Sequence, residues 1–167
     1  MFIFQKLIRN GTLKQKNGEI YEGDYILCVP PYTSHEKCYY KDMDYEIEIR
    51  KHGDGKTTYP NGDIFEGKYN NDKLESGIMR YKNGDRIIGT SYNNNQIVYG
   101  EILCTNGDIY EGEIKDNKKH GYGIVTYKNG DLYIGNFDND QKDGLFMHIN
   151  NGNIITAMYH NDILVDN

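Results

Sequence analysis

The residues best equipped for chemistry fall into three small groups. Cys28, His35 and Cys38 lie within eleven residues, on either side of Pro30-Pro31. Thiolate and imidazole are the donors that hold zinc. No fourth donor stands nearby and there is no C-x-x-C pair. The reading is therefore a proline-stiffened loop with a packed Cys38, and neither a metal nor a cofactor is expected. His52 and His120 each precede a G-x-G. They share that setting because the setting itself repeats, which points to a turn role rather than catalysis. No Ser–His–Asp or Cys–His arrangement stands out beside them. The G-x-G is not followed by a helical pattern, so it is not a nucleotide loop. Lys115, Lys118 and Lys119, with His120, form the one dense basic cluster. Such a cluster suits an anionic headgroup or an acidic partner, and more often is a solvated loop.

Bulk properties narrow the classes further. The 167 residues carry a net charge of −6, which argues against nucleic-acid binding, where a basic face must replace phosphate counterions. Mean hydropathy is −0.79, a value that alone would suggest disorder. Sixteen Tyr and five Phe overturn that suggestion, because a tyrosine joins a large apolar ring to a polar tip and suits a thin sheet wet on both faces. Cys28, Cys38 and Cys104 are an odd number without tight spacing, which fits a reducing compartment. The first ten residues, MFIFQKLIRN, have too short an apolar run for a signal peptide. No stretch reaches the length of a membrane-spanning helix. The expected location is cytoplasmic, with peripheral attachment to membrane or cytoskeleton left open.

What must position these groups is a repeat. Asn-Gly pairs occur at 17, 61, 83, 106, 129 and 151, spaced by 22 to 23 residues or twice that. The segments that follow agree: NGEIYEGDY at 17–25, NGDIFEGKY at 61–69, NGDIYEGEI at 106–114 and NGDLYIGNF at 129–137. NGDRIIGTS at 83–91 and NGNIITAMY at 151–159 are weaker copies, and KDMDYEIEI at 41–49 fills the missing period. The array thus spans residues 1–167 as a single domain, with anchors near 17, 41, 61, 83, 106, 129 and 151 and an irregular stretch near 26–44. Gly144 sits one place early, so a bulge or slip is expected there.

Asn-Gly between strand-like residues predicts a hairpin closed by a type I′ turn, with positive φ at both central residues. Period-two alternation puts Tyr110, Gly112 and Ile114 on one face and Ile109, Glu111 and Glu113 on the other. One hairpin cannot stand alone, but seven stacked in sequence order make a continuous meander. Tyr21, Tyr45, Phe65, Tyr110 and Tyr133 share one repeat position and line one face. They are candidates for a binding groove, set against ordinary packing of rings on strand glycines. Cys104 falls where Tyr59, Tyr81 and Tyr127 stand in other copies and reads as a small core residue.

The pattern Y-x-G-x-aromatic, then H-G-x-G, then Y-x-N-G resembles the MORN repeat. Residues 110–130, YEGEIKDNKKHGYGIVTYKNG, are the closest copy. The resemblance implies an all-β fold, an elongated, twisted single antiparallel sheet of about seven hairpin repeats. It also implies a protein-interaction, dimerisation or membrane-associated role. The family's usual Trp is replaced here by Tyr25, Ile49, Tyr69, Ser91, Ile114, Phe137 or Tyr159. No room is left for a separate catalytic domain, so the expectation is a non-enzymatic scaffold. Its partner is an unnamed protein or a second copy in a homodimer. The apolar ILVDN at 163–167 either caps the last repeat or joins that partner. The alternative is a peripheral membrane adaptor that meets phospholipid headgroups through Lys115, Lys118 and Lys119.

Overall fold

The computed structural model describes residues 5–29 and 48–165. Tyr45, His35, Cys38 and the anchor near 41 lie outside the described residues, as does the side chain of Cys28. Fourteen strands form one sheet: β1 Gln5–Lys14, β2 Ile20–Val29, β3 Glu48–Thr58, β4 Ile64–Asn70, β5 Lys73–Arg80, β6 Arg86–Asn93, β7 Gln96–Leu103, β8 Ile109–Lys115, β9 Lys118–Thr126, β10 Leu132–Asp138, β11 Gln141–Lys142, β12 Gly144–Asn150, β13 Asn153–His160 and β14 Ile163–Val165. Each pairs antiparallel with its sequence neighbour, except that β10 is flanked by both the short β11 and β12. The all-β meander expected from the repeat is the observed fold.

The turns differ from expectation in an instructive way. In five of the Asn-Gly turns only the glycine has positive φ: Gly18 at 87° (where Glu19 stands in place of the following Asp), Gly62 at 92°, Gly84 at 95°, Gly107 at 94° and Gly130 at 93°. The glycine N–H donates to the carbonyl three residues back, as in Gly107 to Cys104 at 3.0 Å. The residue at that carbonyl donates to the Asp one past the glycine, as in Cys104 to Asp108 at 3.0 Å. This is a three-residue loop, a type I turn followed by a bulged glycine, and not type I′. The asparagine works through its side chain: Asn106 Oδ1 accepts from the Asp108 N–H at 2.9 Å. Only Asn151-Gly152 has positive φ at both residues, 46° and 80°. The two-residue turns with two positive φ values lie at the opposite strand ends, at Asn71-Asp72, Asn94-Asn95, Asp116-Asn117, Asn139-Asp140 and Asn161-Asp162.

A row of glycines runs across the sheet. Gly11, Gly23, Gly55, Gly67, Gly77, Gly89, Gly100, Gly112, Gly123 and Gly135 stand opposite one another on successive strands. The row is where rings lie flat on backbone. A Cβ on Gly123 would fall 2.3 Å from the Tyr110 ring, and one on Gly55 would fall 2.3 Å from the Tyr21 hydroxyl. Register shifts follow the row at Gly23/Tyr25, Lys68/Tyr69, Gly89/Ser91 and Gly112/Ile114. Such bulges bend a strand. The bend is large: Lys51 Nζ reaches Thr57 Oγ1 in its own strand at 3.3 Å, although six extended residues span about 20 Å. The sheet is therefore folded into a trough, and its core lies in the trough rather than between two layers.

Candidate interaction surfaces

The inner face holds the aromatic residues. Tyr21 and Phe65 are completely buried, and Tyr110 nearly so. Tyr110 Oη donates to the carbonyls of Glu113 at 2.7 Å and His120 at 3.0 Å, which ties the bent strand ends together. Tyr21 Oη does the same to Asp24 at 2.5 Å. Burial pushes the Tyr21 phenol up to about 12 and raises that of Tyr110 as well. These three candidates are brought into one row of buried core residues. His52 and His120 lend the trough their backbone carbonyls, as a turn role implies.

Tyr133 occupies the same repeat position with a different fate. The expected slip near Gly144 is present: the strand is interrupted at Asp143, between β11 and β12. Phe146 then takes the next place in the glycine row, buried, with its ring against Gly135. The position over glycine is already filled, so Tyr133 turns aside, half-buried, and stacks on His148 at 4.2 Å. Lys142 Nζ lies 4.2 Å from the Tyr133 ring centre and 4.4 Å from that of Tyr159. Burial lowers the Lys142 pKa, opposed by nearby Asp162.

The basic cluster is divided. Lys115 and Lys118 are exposed and stand opposite each other beside the Asp116-Asn117 turn. Lys119 turns inward, its ammonium 5.7 Å from the Phe137 ring centre. Its position explains a pairing between repeats. The N–H of Lys51, Lys119 and Lys142 donates to Asp72, Asp140 and Asp162 of the following turn at 2.8, 2.9 and 2.9 Å. Where the equivalent residue is Leu74, the acceptor is the neutral Asn95 at 2.9 Å. A cation over the trough accompanies a carboxylate in the next turn, and an apolar side chain accompanies an amide.

The outer face changes along the array. From β2 to β8 it carries Glu22, Asp24, Asp54, Lys56, Glu66, Lys68, Arg80, Arg86, Glu101, Glu111 and Glu113. On β9, β10, β12 and β13 the same register holds Tyr122, Ile124 and Thr126, then Leu132, Ile134 and Asn136, then Leu145, Met147 and Ile149, then Ile154, Thr156 and Met158. None of these is charged. Tyr122, Leu145, Ile154 and Met158 are 58%, 60%, 64% and 43% exposed, and Ile163 and Val165 of β14 extend the apolar surface. The signal for this surface was in the sequence. Between residues 144 and 158, GLFMHINNGNIITAM, alternation of apolar and polar residues gives way to apolar side chains on both faces.

A family model described as MORN repeat matches residues 49–64, 110–132 and 133–145. These segments of the chain are MORN repeats. The second matched segment contains the copy built around Tyr110, and the third runs into the slip at Asp143. No curated protein matches the sequence. Among solved structures the chain is similar to a catalytically inactive virginiamycin B lyase from Staphylococcus aureus with quinupristin, at 14% identity and a TM-score of 0.22. That alignment covers 95% of this chain and 60% of the lyase, so the chain spans about three-fifths of that structure's length. So slight a likeness bears on neither fold nor function. Among the described residues, no helix is long and apolar enough to cross a membrane. Also among them, no group of His, Cys, Asp or Glu is placed to hold a metal ion.

Proposed function

We propose that this MORN-repeat array is a non-enzymatic protein-interaction scaffold that self-associates through the outer face of its last strands. The observation that carries this reading is the largely apolar face of β9, β10, β12 and β13, with Asp138 beside His120 at its margin. Contiguous exposed apolar surface of this kind is uncommon on monomers and marks interaction sites. A second copy brings an equal, largely apolar face, so neither protomer has to bury an unpaired charge. The inner aromatic row contributes rigidity, holding the outer face in register. Sedimentation over a dilution series tests the reading. A mass that rises from one to two protomers with concentration supports it, and a constant monomer mass refutes it.

Peripheral membrane attachment is the second reading, and it rests on Lys115 and Lys118 opposed at an exposed hairpin end. Two cations near an anionic surface contribute about 1 kcal/mol each, which is weak without the inward-turned Lys119. Co-sedimentation with phosphoinositide liposomes at near-physiological salt separates the readings. Pelleting that is lost in Lys115→Ala/Lys118→Ala favours the membrane.

A further inference from the structure

The row of residues that closes the three-residue turns is Gln15 in the first repeat and aromatic in the later ones except at Cys104. Tyr59, Tyr81, Cys104 and Tyr127 each donate a backbone N–H to the Asp four residues on and accept from the turn glycine. They are therefore the same position in four successive repeats. Tyr59, Tyr81 and Tyr127 project rings over the trough, and the Tyr127 ring meets Tyr133 edge-on at 5.5 Å. At Cys104 a short thiol stands in place of a ring. A pocket of about 330 Å³ opens there, and its lining includes Ile102, Cys104, Tyr110, Lys119, Asp140 and Asp85.

The array itself shows what fits this space. A phenol ring fills the equivalent place in three neighbouring repeats, and Tyr110 stands six residues beyond Cys104 just as Tyr133 stands six beyond Tyr127. The walls suit the two parts of a phenol. Ile102 and the Tyr110 ring supply apolar contact, while a phenolic O–H can donate to the Asp140 or Asp85 carboxylate and accept from the Lys119 ammonium. The lining is mixed: Ile102, Ile109 and Tyr110 stand beside the Lys119 ammonium and aspartate carboxylates, so an occupant needs both an apolar body and a polar tip. We propose that the Cys104 pocket receives a tyrosine side chain from a partner protein, completing from outside the ring row that the repeat leaves open. The identity of the occupant rests on the interaction-scaffold reading, but the pocket and its preference for a phenol do not.

The test uses p-cresol and N-acetyltyrosinamide on the full chain. Binding is followed by NMR and by the rate of Cys104 alkylation by iodoacetamide, read at peptide level to separate it from Cys28 and Cys38. Burial raises the Cys104 pKa, so the reaction is run at mildly alkaline pH. Both probes are expected to shift the Ile102 and Tyr110 resonances saturably. At twice the dissociation constant they slow alkylation about threefold, by mass action. Cys104→Tyr should abolish the NMR response with melting temperature equal or raised, while Cys104→Ala should retain it. Scattered shifts, unprotected Cys104, or a Cys104→Tyr chain that still binds or melts several degrees lower would overturn the proposal. Binding of p-cresol without N-acetyltyrosinamide would show a site for free phenols and defeat the docking of a protein tyrosine. None of these outcomes depends on whether the array dimerises, so failure here and failure of the scaffold reading are distinguishable.

Discussion

The repeat built around Tyr110 and the one built around Tyr133 start from nearly the same residues and end as different surfaces. In the first, the ring lies over Gly112 and Gly123, and the outer face presents Glu111 and Glu113. In the second, Phe146 covers Gly135, Tyr133 is displaced onto His148, and the outer face presents Ile134 and Asn136. The displacement follows from one early glycine, Gly144, and one ring in the glycine row. The inner face of a repeat array is a shared template in which each ring needs a vacant glycine beside it. The outer face is free of that constraint and is where repeats can diverge. Function is therefore expected where the outer pattern changes, not where the repeat is most regular.

The sharpest test of this contrast removes each ring. Tyr110→Ala should cost about 4 kcal/mol, in the range for deleting a buried aromatic, and Tyr133→Ala about 1 kcal/mol, because its ring is only half-buried. Urea unfolding measures both, and equal losses would break the comparison. The glycines give a second contrast of smaller size. Gly123→Ala forces a Cβ to 2.3 Å from the Tyr110 ring and should cost about 3 kcal/mol. Gly144→Ala meets nothing within 4 Å and only a φ of 111°, so about 1–2 kcal/mol of backbone strain is expected. Thermal melts in which Gly144→Ala is the worse of the two would contradict the packing account.

Alkaline titration tests the buried row as a whole. The Tyr21 phenol is raised from 10.0 to about 12 by burial, and those of Tyr69 and Tyr110 are raised too. The unfolded chain gives up these protons first, so stability is constant below pH 10 and falls as pH rises through about 12. Tyrosinate absorbance should therefore appear in two stages, the second being the buried row together with loss of strand signal. Ionisation of every tyrosine near pH 10 with the fold intact would oppose this.

The smallest effect concerns the step between repeats. Replacing the Lys142 and Asp162 pair by the Leu74 and Asn95 combination, Lys142→Leu with Asp162→Asn, should be nearly neutral. Each single change should cost roughly 0.5–1 kcal/mol, giving a coupling measurable in a double-mutant cycle. Additive losses would mean that the two positions are independent.

Much of this was legible from spacing. The Asn-Gly period and the Y-x-G alternation specify hairpins, their order and the inner face, because a stacked array repeats the same local physics. The turn type was not legible from the dipeptide, since Asn-Gly suits both loop classes. Asp63, Asp85, Asp108 and Asp131 brace the turn that forms, because their side chains reach the next one, as Asp63 Oδ1 does to the Lys82 N–H at 3.0 Å. The exception is readable in retrospect: Pro60 has no N–H to donate, and there Glu19 replaces Asp and pairs with Lys51. The inward turn of Lys119 was hidden because the trough forms only when every strand bends. The burial of Tyr21, Phe65 and Tyr110 was hidden for the same reason: rings that share a repeat position also share a core.

The most direct test of the central claim places one charge on either outer region and reads mass by sedimentation. Leu145→Lys puts an ammonium in the largely apolar face, and Ile88→Lys puts one on the charged face of β6. The account predicts that the wild-type chain and Ile88→Lys associate equally, while Leu145→Lys is a folded monomer at the same concentration. Association of Leu145→Lys at wild-type strength would contradict it.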